Sequence, residues 1–380
     1  MKKRKIEGIL LVVISVIICF GILEIGLRAR QFFLYGTAKV PGWLLADKKG
    51  TSVWHPFLRS VPRPSTEWEE VESGNRAVVK INSLGFRSPE IQGKKGENTF
   101  RIVCLGGSVA YDTRVSMEDS WAFQLQEKLK EAYSVTNIEV VNAGIPGRTS
   151  ADSLVNLGLR VIPLEPDVVI IMHGVNDQKP NRYPAFQPDY SHWYRYWCQE
   201  KKTCLFMKLF NCLIDKSLLA SHIRYRLRFL LNPNLKENWR GEPLKRYDTV
   251  SERGLDAYRN NLISMIGMCR LHNIKVIIAT VGNSLDENGD WNPGMGTRNP
   301  LVFYHECLTL EGIRDGFKQY NRINREVARD YGCRLIDIDR SLPKGKLFFQ
   351  DDVHFTARGS HKVADIITKG LPWEDWLEEK

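Results

Sequence analysis

The sequence predicts an α/β fold, a doubly wound, five-stranded parallel sheet of flavodoxin-like order with an N-terminal transmembrane helix and a large insertion after the third strand. Two observations predict this fold. After Asn98, short apolar runs rich in β-branched residues alternate with longer segments of helical period, and residues 9–23 carry no charge. The 380 residues are 43% hydrophobic and 26% charged, which is typical of globular chains and argues against disordered and collagen-like classes.

The first element is a predicted membrane anchor. A helix over residues 9–27 spans about 28 Å, close to the thickness of the hydrocarbon core of a bilayer. No small-x-small cleavage pattern follows the run, so the sequence favours an uncleaved anchor over a signal peptide. The basic residues 2–5 stay in the cytoplasm by the positive-inside rule, which places the rest of the chain on the extracytoplasmic side of the cell membrane; Arg28 and Arg30, beyond the run, weaken this assignment.

The other elements follow from the two hydrophobic periods. Strands are predicted at residues 101–105, 138–141, 168–172, 274–280 and 334–338, and helices at residues 121–133, 151–161, 255–272, 312–331 and 355–369. The predicted domains are residues 1–36, a cytoplasmic tip and anchor; residues 37–99, a juxtamembrane lead-in that packs on the main domain; residues 100–372, the main domain with its insertion at 178–250; and residues 373–380, a C-terminal tail.

The net charge of +10 does not imply a nucleic-acid partner. Four positive charges lie at residues 2–5, and most of the others are scattered, apart from a basic stretch over residues 216–246. We expect the lipid bilayer as a partner, through residues 9–27, and no nucleic acid.

The eight cysteines contain no C-x-x-C pair, so no metal site is expected. Cys104, Cys269 and Cys333 lie in apolar patterns and are predicted to be buried thiols. In an exported chain a disulfide can form among Cys198, Cys204 and Cys212, which lie in the insertion; their spacing leaves the pairing open.

Chemically active residues follow the predicted strands. Ligands of such sheets bind beyond the carboxyl ends of the strands. Ser108 follows the first strand, after two glycines that permit a sharp turn. Gly144 follows the second strand and Asn176 the third, while Asp351 and His354 precede the last long helix.

Together these residues have the composition of a serine esterase site. A hydroxyl becomes nucleophilic when a neutral imidazole takes its proton, and a carboxylate on the far ring nitrogen orients that imidazole. We therefore predict Ser108 as nucleophile, His354 as base and Asp351 as the orienting acid. The backbone N–H groups of Ser108 and Gly144 and the side-chain amide of Asn176 are the predicted oxyanion hole.

These four blocks, in this order, resemble the SGNH hydrolase superfamily, also called GDSL-type esterases, over roughly residues 101–370 without the insertion. The family usually has Gly-Asp-Ser where this chain has Gly106-Gly107-Ser108, a change that preserves the turn. The resemblance implies hydrolysis or transfer of acyl esters, often acetyl groups on sugars, without a metal or cofactor. The segment Asn-Ser-Leu-Gly-Phe-Arg at residues 82–87 is similar to that of a membrane-anchored bacterial subgroup.

Several other functions compete with this esterase. An O-acyltransferase that acylates a glycan needs the same triad, so the sequence does not separate it from a hydrolase. A non-catalytic glycan-binding scaffold is disfavoured because all four functional blocks are present. The Gly-x-Ser-x-Gly elbow of α/β-hydrolases is disfavoured because Ser108 follows the first clear strand and only three positions separate Asp351 from His354.

Other polar residues have simpler interpretations. We expect His173 to pack at a strand end, Asp177 to support the Asn176 loop through local backbone bonds, and Asp352 to be the rival of Asp351 should the register be wrong. His361 is expected to be exposed. A second Asp-x-x-His at residues 189–192 is interpreted as structural or as part of the surface.

The insertion carries two features of open meaning. Its aromatic residues Trp193, Tyr194, Tyr196 and Trp197 suit either sugar rings or ordinary packing. Its alternating arginines, at positions 224, 226 and 228, suit either an anionic surface or a solvated helix face.

Overall fold

A computed structural model of the chain describes residues 2–35, 51–72, 75–133, 137–194, 214, 216–231, 245–285 and 305–378. The predicted disulfide cysteines 198, 204 and 212 and the aromatic positions 196 and 197 lie outside the described residues. The chain divides into two compact units, one of residues 1–50, 71–75 and 199–243 and one of residues 51–70, 76–198 and 244–380.

Helices and strands are numbered in chain order. The helices are α1 (Lys2–Tyr35), α2 (Ser108–Tyr111), α3 (Trp121–Tyr133), α4 (Ser150–Asn156), α5 (Gln178–Asn181), α6 (Ser191–Tyr194), α7 (Leu218–Leu231), α8 (Glu252–Leu271), α9 (Leu310–Asp330), α10 (Ile338–Ser341), α11 (Ala357–Lys369) and α12 (Trp373–Glu378). The strands are β1 (Ser52–His55), β2 (Arg59–Pro62), β3 (Thr66–Glu72), β4 (Asn75–Ile81), β5 (Phe100–Gly106), β6 (Ile138–Asn142), β7 (Val168–Met172), β8 (Lys275–Ala279) and β9 (Arg334–Ile336).

Five parallel strands form the predicted sheet, in the order β6-β5-β7-β8-β9. This order is the flavodoxin-like one, so the predicted fold class is confirmed. Every residue of β5 and β7 is buried, as expected for strands covered on both faces. The carboxyl ends of β5 and β7 therefore bring the segments that follow them together at one edge of the sheet.

The predicted helices and strands agree with the structure to within a few residues, with two differences. Helix α4 gives way to a π-helical turn at Leu157–Val161 and a short 3₁₀ turn at Ile162–Leu164, where Pro163 stands near the start. The last strand ends at Ile336, and Ile338 begins α10. The threonines Thr309 and Thr356 cap α9 and α11 by accepting a hydrogen bond from the N–H of the third helical residue.

The lead-in and the tail carry more regular structure than the sequence indicated. The described part of residues 37–99 contains two strand pairs, the antiparallel pair β1-β2 and the pair β3-β4. The C-terminal segment forms α12, in which Trp373 is fully buried and donates its indole N–H to the carbonyl of Ile367 at 3.2 Å. The tail therefore packs on the domain.

Helix α1 is the predicted apolar helix. Its stretch Leu10–Phe33 has 24 residues with a mean hydropathy of 2.8, long enough to cross a membrane. These properties fit a membrane anchor, and a signal sequence has them as well.

Helix α7 docks on α1 inside the first unit. The carboxylate of Glu24 accepts hydrogen bonds from the hydroxyl of Ser217 at 2.9 Å and from the N–H groups of Leu218 and Leu219 at 2.9 and 2.7 Å. Arg28 donates to the carbonyl of Lys216 at 2.6 Å. Glu24 thus caps the first turn of α7, where N–H groups lack intrahelical partners.

Candidate active site

The turn from β5 into α2 places the candidate nucleophile. A Cβ atom on Gly106 would lie 2.3 Å from the carbonyl oxygen of Met172, and one on Gly107 would lie 2.3 Å from Nδ2 of Asn176. Both positions therefore require glycine for the observed packing. Ser108, the first residue of α2, is partly exposed at this turn.

Acid, base and hydroxyl form a continuous chain of hydrogen bonds. Oδ2 of Asp351 lies 2.7 Å from Nδ1 of His354, and Nε2 of His354 lies 2.9 Å from Oγ of Ser108. Oδ1 of Asp351 accepts from the N–H groups of Val353 and His354 at 2.9 and 2.8 Å. The structure therefore brings together residues 246 positions apart, in the geometry of a base that can deprotonate the hydroxyl.

The charge on Asp351 is strongly stabilised. Burial raises the pKa of a carboxyl group, but the contacts with His354 and with the guanidinium of Arg114 outweigh it and hold the pKa of Asp351 well below its usual range. The carboxylate is thus ionised at neutral pH, as an orienting acid must be.

Asn176 lies beside the turn that carries Ser108. Its Nδ2 donates to the carbonyl of Arg148 at 2.9 Å and covers the α-carbon of Gly107. An amide nitrogen carries two N–H donors, so the bond to Arg148 orients the group without using both.

The structure places Gly144 differently from the prediction. Its N–H donates to Oδ1 of Asn142 at 3.0 Å, and backbone atoms of Tyr111 fill the space where its side chain would be. Gly147, three residues further, has a φ of +74° and open space over its α-carbon. It directly precedes Arg148, whose carbonyl binds Asn176. Both glycines follow β6, and nothing in the local pattern indicated which N–H is bonded to Asn142.

A buried polar network supports the Asn176 loop. The carboxylate of Asp177 accepts from the N–H and the hydroxyl of Ser150 at 3.0 and 2.5 Å and from the hydroxyl of Tyr190 at 3.2 Å. This support comes from other elements, so the prediction of local backbone bonds is wrong. Burial raises the pKa of Asp177 to about 6 and lowers that of His173, whose Nε2 lies 2.7 Å from Oγ of Ser153, to about 4. His173 is therefore a packed, neutral histidine, as expected.

Arg87 organises the loop after the nucleophile helix, a role that the sequence pattern did not predict. It is buried, and its guanidinium donates to the carbonyls of Tyr111 and Asp112 at 2.5 Å each and to that of Val115. Asp112 is buried too, and its carboxylate accepts from the hydroxyl of Ser360 at 2.9 Å. Burial raises the pKa of Asp112 to about 6. The sequence signal that could have indicated Arg87 is the segment of residues 82–87, which ends in this arginine.

A small cavity opens beside the hydroxyl of Ser108. Its volume is about 10 Å³, roughly the space of one water-sized sphere. The lining residues come from the turn after β5, from the end of β7 and the segment that follows it, and from the segment after β8: Gly107, Ser108, Val109, Met172, His173, Gly174, Val175, Asn176 and Val281.

The structure also locates the other aspartate and histidine residues that the sequence analysis considered. His354 pairs with Asp351 and not with its buried neighbour Asp352. His361 is partly exposed, and its Nε2 lies 3.2 Å from Oδ1 of Asp119. The second Asp-x-x-His is structural, since His192 is buried and its ring accepts from the N–H of Gln187.

The prediction of buried thiols is confirmed for Cys104 and Cys269, whereas Cys333 is less buried than predicted. Cys104 and Cys269 are fully buried and Cys333 is partly buried, and all three are free thiols. Within the described ranges, no group of three or more His, Cys, Asp or Glu residues is arranged to hold a metal ion.

The chain is similar to known proteins both by family model and by solved structure. The model of the GDSL-like lipase/acylhydrolase family matches residues 104–362. Solved structures that resemble the chain include an acetyl xylan esterase (17% identity, 73% of this chain and 99% of that one, TM-score 0.41) and a lipase/acylhydrolase from Enterococcus faecalis (17%, 71% and 94%, 0.41). A third is an acetyl-xylooligosaccharide esterase mutant from Geobacillus stearothermophilus (18%, 74% and 98%, 0.43). No curated protein matches the chain significantly.

Proposed function

This chain belongs to the GDSL-like lipase/acylhydrolase family and is a serine ester hydrolase, and from that premise we propose that it is a membrane-anchored enzyme that removes small acyl groups, foremost acetyl, from carbohydrate hydroxyls. The observation that carries the proposal is the chain of contacts from Asp351 through His354 to Ser108, with 2.7 and 2.9 Å between the bonded atoms.

The reaction follows from these contacts. Oγ of Ser108 attacks the ester carbonyl while Nε2 of His354 takes its proton, and Asp351 stabilises the resulting imidazolium. The tetrahedral intermediate collapses, the C–O bond to the alcohol breaks, and His354 returns the proton to the leaving oxygen. Water then attacks the acyl-serine by the same proton transfers, which releases the carboxylic acid and restores Ser108.

The negative charge on the former carbonyl oxygen needs fixed donors. We assign the N–H of Ser108, at the start of α2, and the amide of Asn176 to this role. As the third donor we propose the N–H of Gly147 in place of Gly144, because Gly144 already donates to Asn142 and Gly147 precedes the residue that holds Asn176. Each such donor contributes about 3–4 kcal/mol to transition-state stabilisation.

The cavity supports a small acyl group. The space beside Ser108, about 10 Å³, is that of one water-sized sphere, which favours a small acyl group over a long chain at this position. The partly exposed hydroxyl leaves the alcohol portion of the ester on the open side, which suits a bulky leaving group such as a sugar.

Docking of α7 supports an anchor that is retained. Cleavage behind α1 would remove Glu24 and leave the first N–H groups of α7, including those of Leu218 and Leu219, without their cap. With the basic residues 2–5 in the cytoplasm, the positive-inside rule puts the catalytic unit outside.

The test uses the full chain in detergent with chromogenic acetate, butyrate and octanoate esters. We expect Ser108→Ala and His354→Ala to abolish most acetate turnover, while substitution of a partly exposed histidine on α11, His361→Ala, leaves it unchanged. Acetate should exceed butyrate and octanoate in kcat/KM, and Val281→Ala should raise the butyrate-to-acetate ratio. Equal turnover in wild type and Ser108→Ala would reject the triad.

Two further measurements address the substrate and the membrane. Acetate release from an acetylated polysaccharide tests the carbohydrate, and an added sugar acceptor that captures acetyl in place of water would show a transferase. Protease digestion of the catalytic unit in intact cells tests its outward placement; protection until lysis would contradict it.

A further inference from the structure

The loop after the nucleophile helix brings a cation to the orienting acid. Nη1 of Arg114 donates to Oδ2 of Asp351 at 2.5 Å, the same oxygen that meets Nδ1 of His354 at 2.7 Å. One carboxylate oxygen thus serves the base and a guanidinium at once. A Ser-His-Asp relay does not require such a cation.

The geometry points to Arg114 as a positioning residue that fixes Asp351 against His354 and sets the lower limit of the pH range in which His354 acts as a base. This inference rests on the proposed function, since it concerns the same triad.

The backbone of Arg114 is fixed by its neighbours in an uncommon conformation. Its φ is +76°, a left-handed conformation that costs a residue with a side chain about 1–2 kcal/mol and persists where the surroundings impose it. Its carbonyl accepts from Nε2 of Gln350 at 3.1 Å, and the same Nε2 donates to the carbonyl of Phe355 at 2.8 Å. Main chain and side chain of Arg114 are therefore both tied to the segment that carries the acid and the base.

Arg87 secures the other side of the loop. Its guanidinium binds three carbonyls of residues 111–115 from a buried position, so the loop cannot swing away as a unit. The side chain of Arg114 is one-fifth exposed, so the pair is only partly shielded from water. A mere surface pair would contribute little, but this one ends on a carboxylate that also accepts three hydrogen bonds from the base segment.

The sign of the electrostatic effect follows from the charges. Arg114 favours the ionised form of Asp351 and opposes a second positive charge on the neighbouring imidazole. Without Arg114, the carboxylate would stabilise the imidazolium alone, and a protonated imidazole cannot accept the proton of Ser108. Removal of Arg114 should therefore move the acid limb of the kcat/KM profile to higher pH.

Other charged groups near the pair set the controls. Asp112, at the end of α2, is buried, and burial raises its pKa to about 6, so its own titration must be separated from the effect of Arg114. Asp352 is buried beside Asp351 in the base segment, and Arg358 stands exposed on the first turn of α11. Arg358 has the same charge as Arg114 and stacks over the ring of Phe348, which makes it a matched control.

The experiment measures kcat/KM for a chromogenic acetate ester against pH, with the full chain in detergent. We expect Arg114→Gln to move the acid limb up by about one pH unit, Arg114→Lys to restore most of the shift, and Arg358→Gln to leave the limb in place. Arg114→Met, which keeps much of the side-chain length, carries the same expectation if the Gln variant does not fold.

Three outcomes would overturn the inference. A uniform loss of activity at every pH in Arg114→Gln would mean a purely structural contact. A Lys variant that behaves as the Gln variant would mean that the charge is not the cause. Disappearance of the limb in Asp112→Asn would assign it to Asp112. By contrast, full activity in Ser108→Ala would remove the proposed function itself, independently of Arg114.

Discussion

Gly107→Ala should disable the proposed oxyanion hole and leave the fold intact. The added Cβ would lie 2.3 Å from Nδ2 of Asn176 and 3.1 Å from the carbonyl oxygen of Arg148. Ordinary contact requires about 3.5 Å, so the amide of Asn176 must retreat by about 1 Å. The φ of Gly107 is −89°, so alanine adds no left-handed strain, and the atom that must move is the end of a side chain.

The magnitude follows from what that amide does. A misplacement of about 1 Å in an active site costs about 10²-fold in rate, and loss of one oxyanion donor costs about 10²–10³-fold. We therefore expect kcat for acetate esters to fall about 10²-fold, or about 2.7 kcal/mol in the barrier. KM and the thermal midpoint should change little.

A double-mutant cycle isolates the cause. If alanine acts through Asn176, then Gly107→Ala adds almost nothing once Asn176→Ala is present, since the displaced donor is already gone. Gly267→Ala, on α8 with open space around the added methyl, is the control and should match wild type. Full additivity of the two substitutions, or a Gly107→Ala enzyme with normal kcat, would refute the reasoning.

Three more substitutions have expected outcomes. Trp373→Ala should lower the free energy of unfolding by about 3–5 kcal/mol in denaturant titration, because a fully buried indole leaves a cavity. Burial lowers the pKa of His173 to about 4, so the neutral ring stabilises the fold above pH 6.5, and this contribution of about 3 kcal/mol is lost as pH falls from 6.5 to 4. The difference in unfolding free energy between wild type and His173→Asn should therefore shrink as pH falls through that window. Asp112 and Asp177 contribute with the opposite sign, but both proteins contain them, so their contributions cancel in the difference. Arg87→Met should destabilise the chain by about 3 kcal/mol and reduce kcat, measured together, because three carbonyls lose a charged donor.

The sheet could be predicted from the sequence because its signal is local. Each strand is a short β-branched run between polar turns, and β7 and α3 have the predicted bounds, 168–172 and 121–133. The proximity of Ser108 and His354 could be predicted because the topology of a parallel sheet brings the segments after its strands to one edge, whatever the path between them. Ser108 and His354 meet for that reason, although 246 positions separate them.

The residues that escaped prediction act through tertiary contacts. Gly144 and Gly147 both follow β6, and only the structure shows that the N–H of Gly144 already donates a hydrogen bond to Asn142. Arg114 lies in a loop without periodicity, and its partner Asp351 is 237 positions away. Composition and residue spacing carry no information on either of these tertiary contacts.

The lead-in supports the candidate site although it lies outside the range that the family model matches. The family model begins at residue 104, yet the turn at residues 82–87 is built around Asn82, whose Oδ1 accepts from the N–H groups of Leu84 and Phe86 at 3.1 and 2.9 Å. This turn delivers Arg87, whose N–H binds the carbonyl of Asn142 at 3.2 Å while its guanidinium holds the loop after α2.

A truncation series follows from that support. A fragment of residues 51–380 retains the turn, whereas a fragment of residues 100–380 leaves the carbonyls of Tyr111, Asp112 and Val115 without their donor and the loop that presents Arg114 without its brace. We expect the first fragment to hydrolyse acetate esters and the second to lose most of its kcat. Equal kcat in two folded fragments would mean that the loop after the nucleophile holds its position without Arg87.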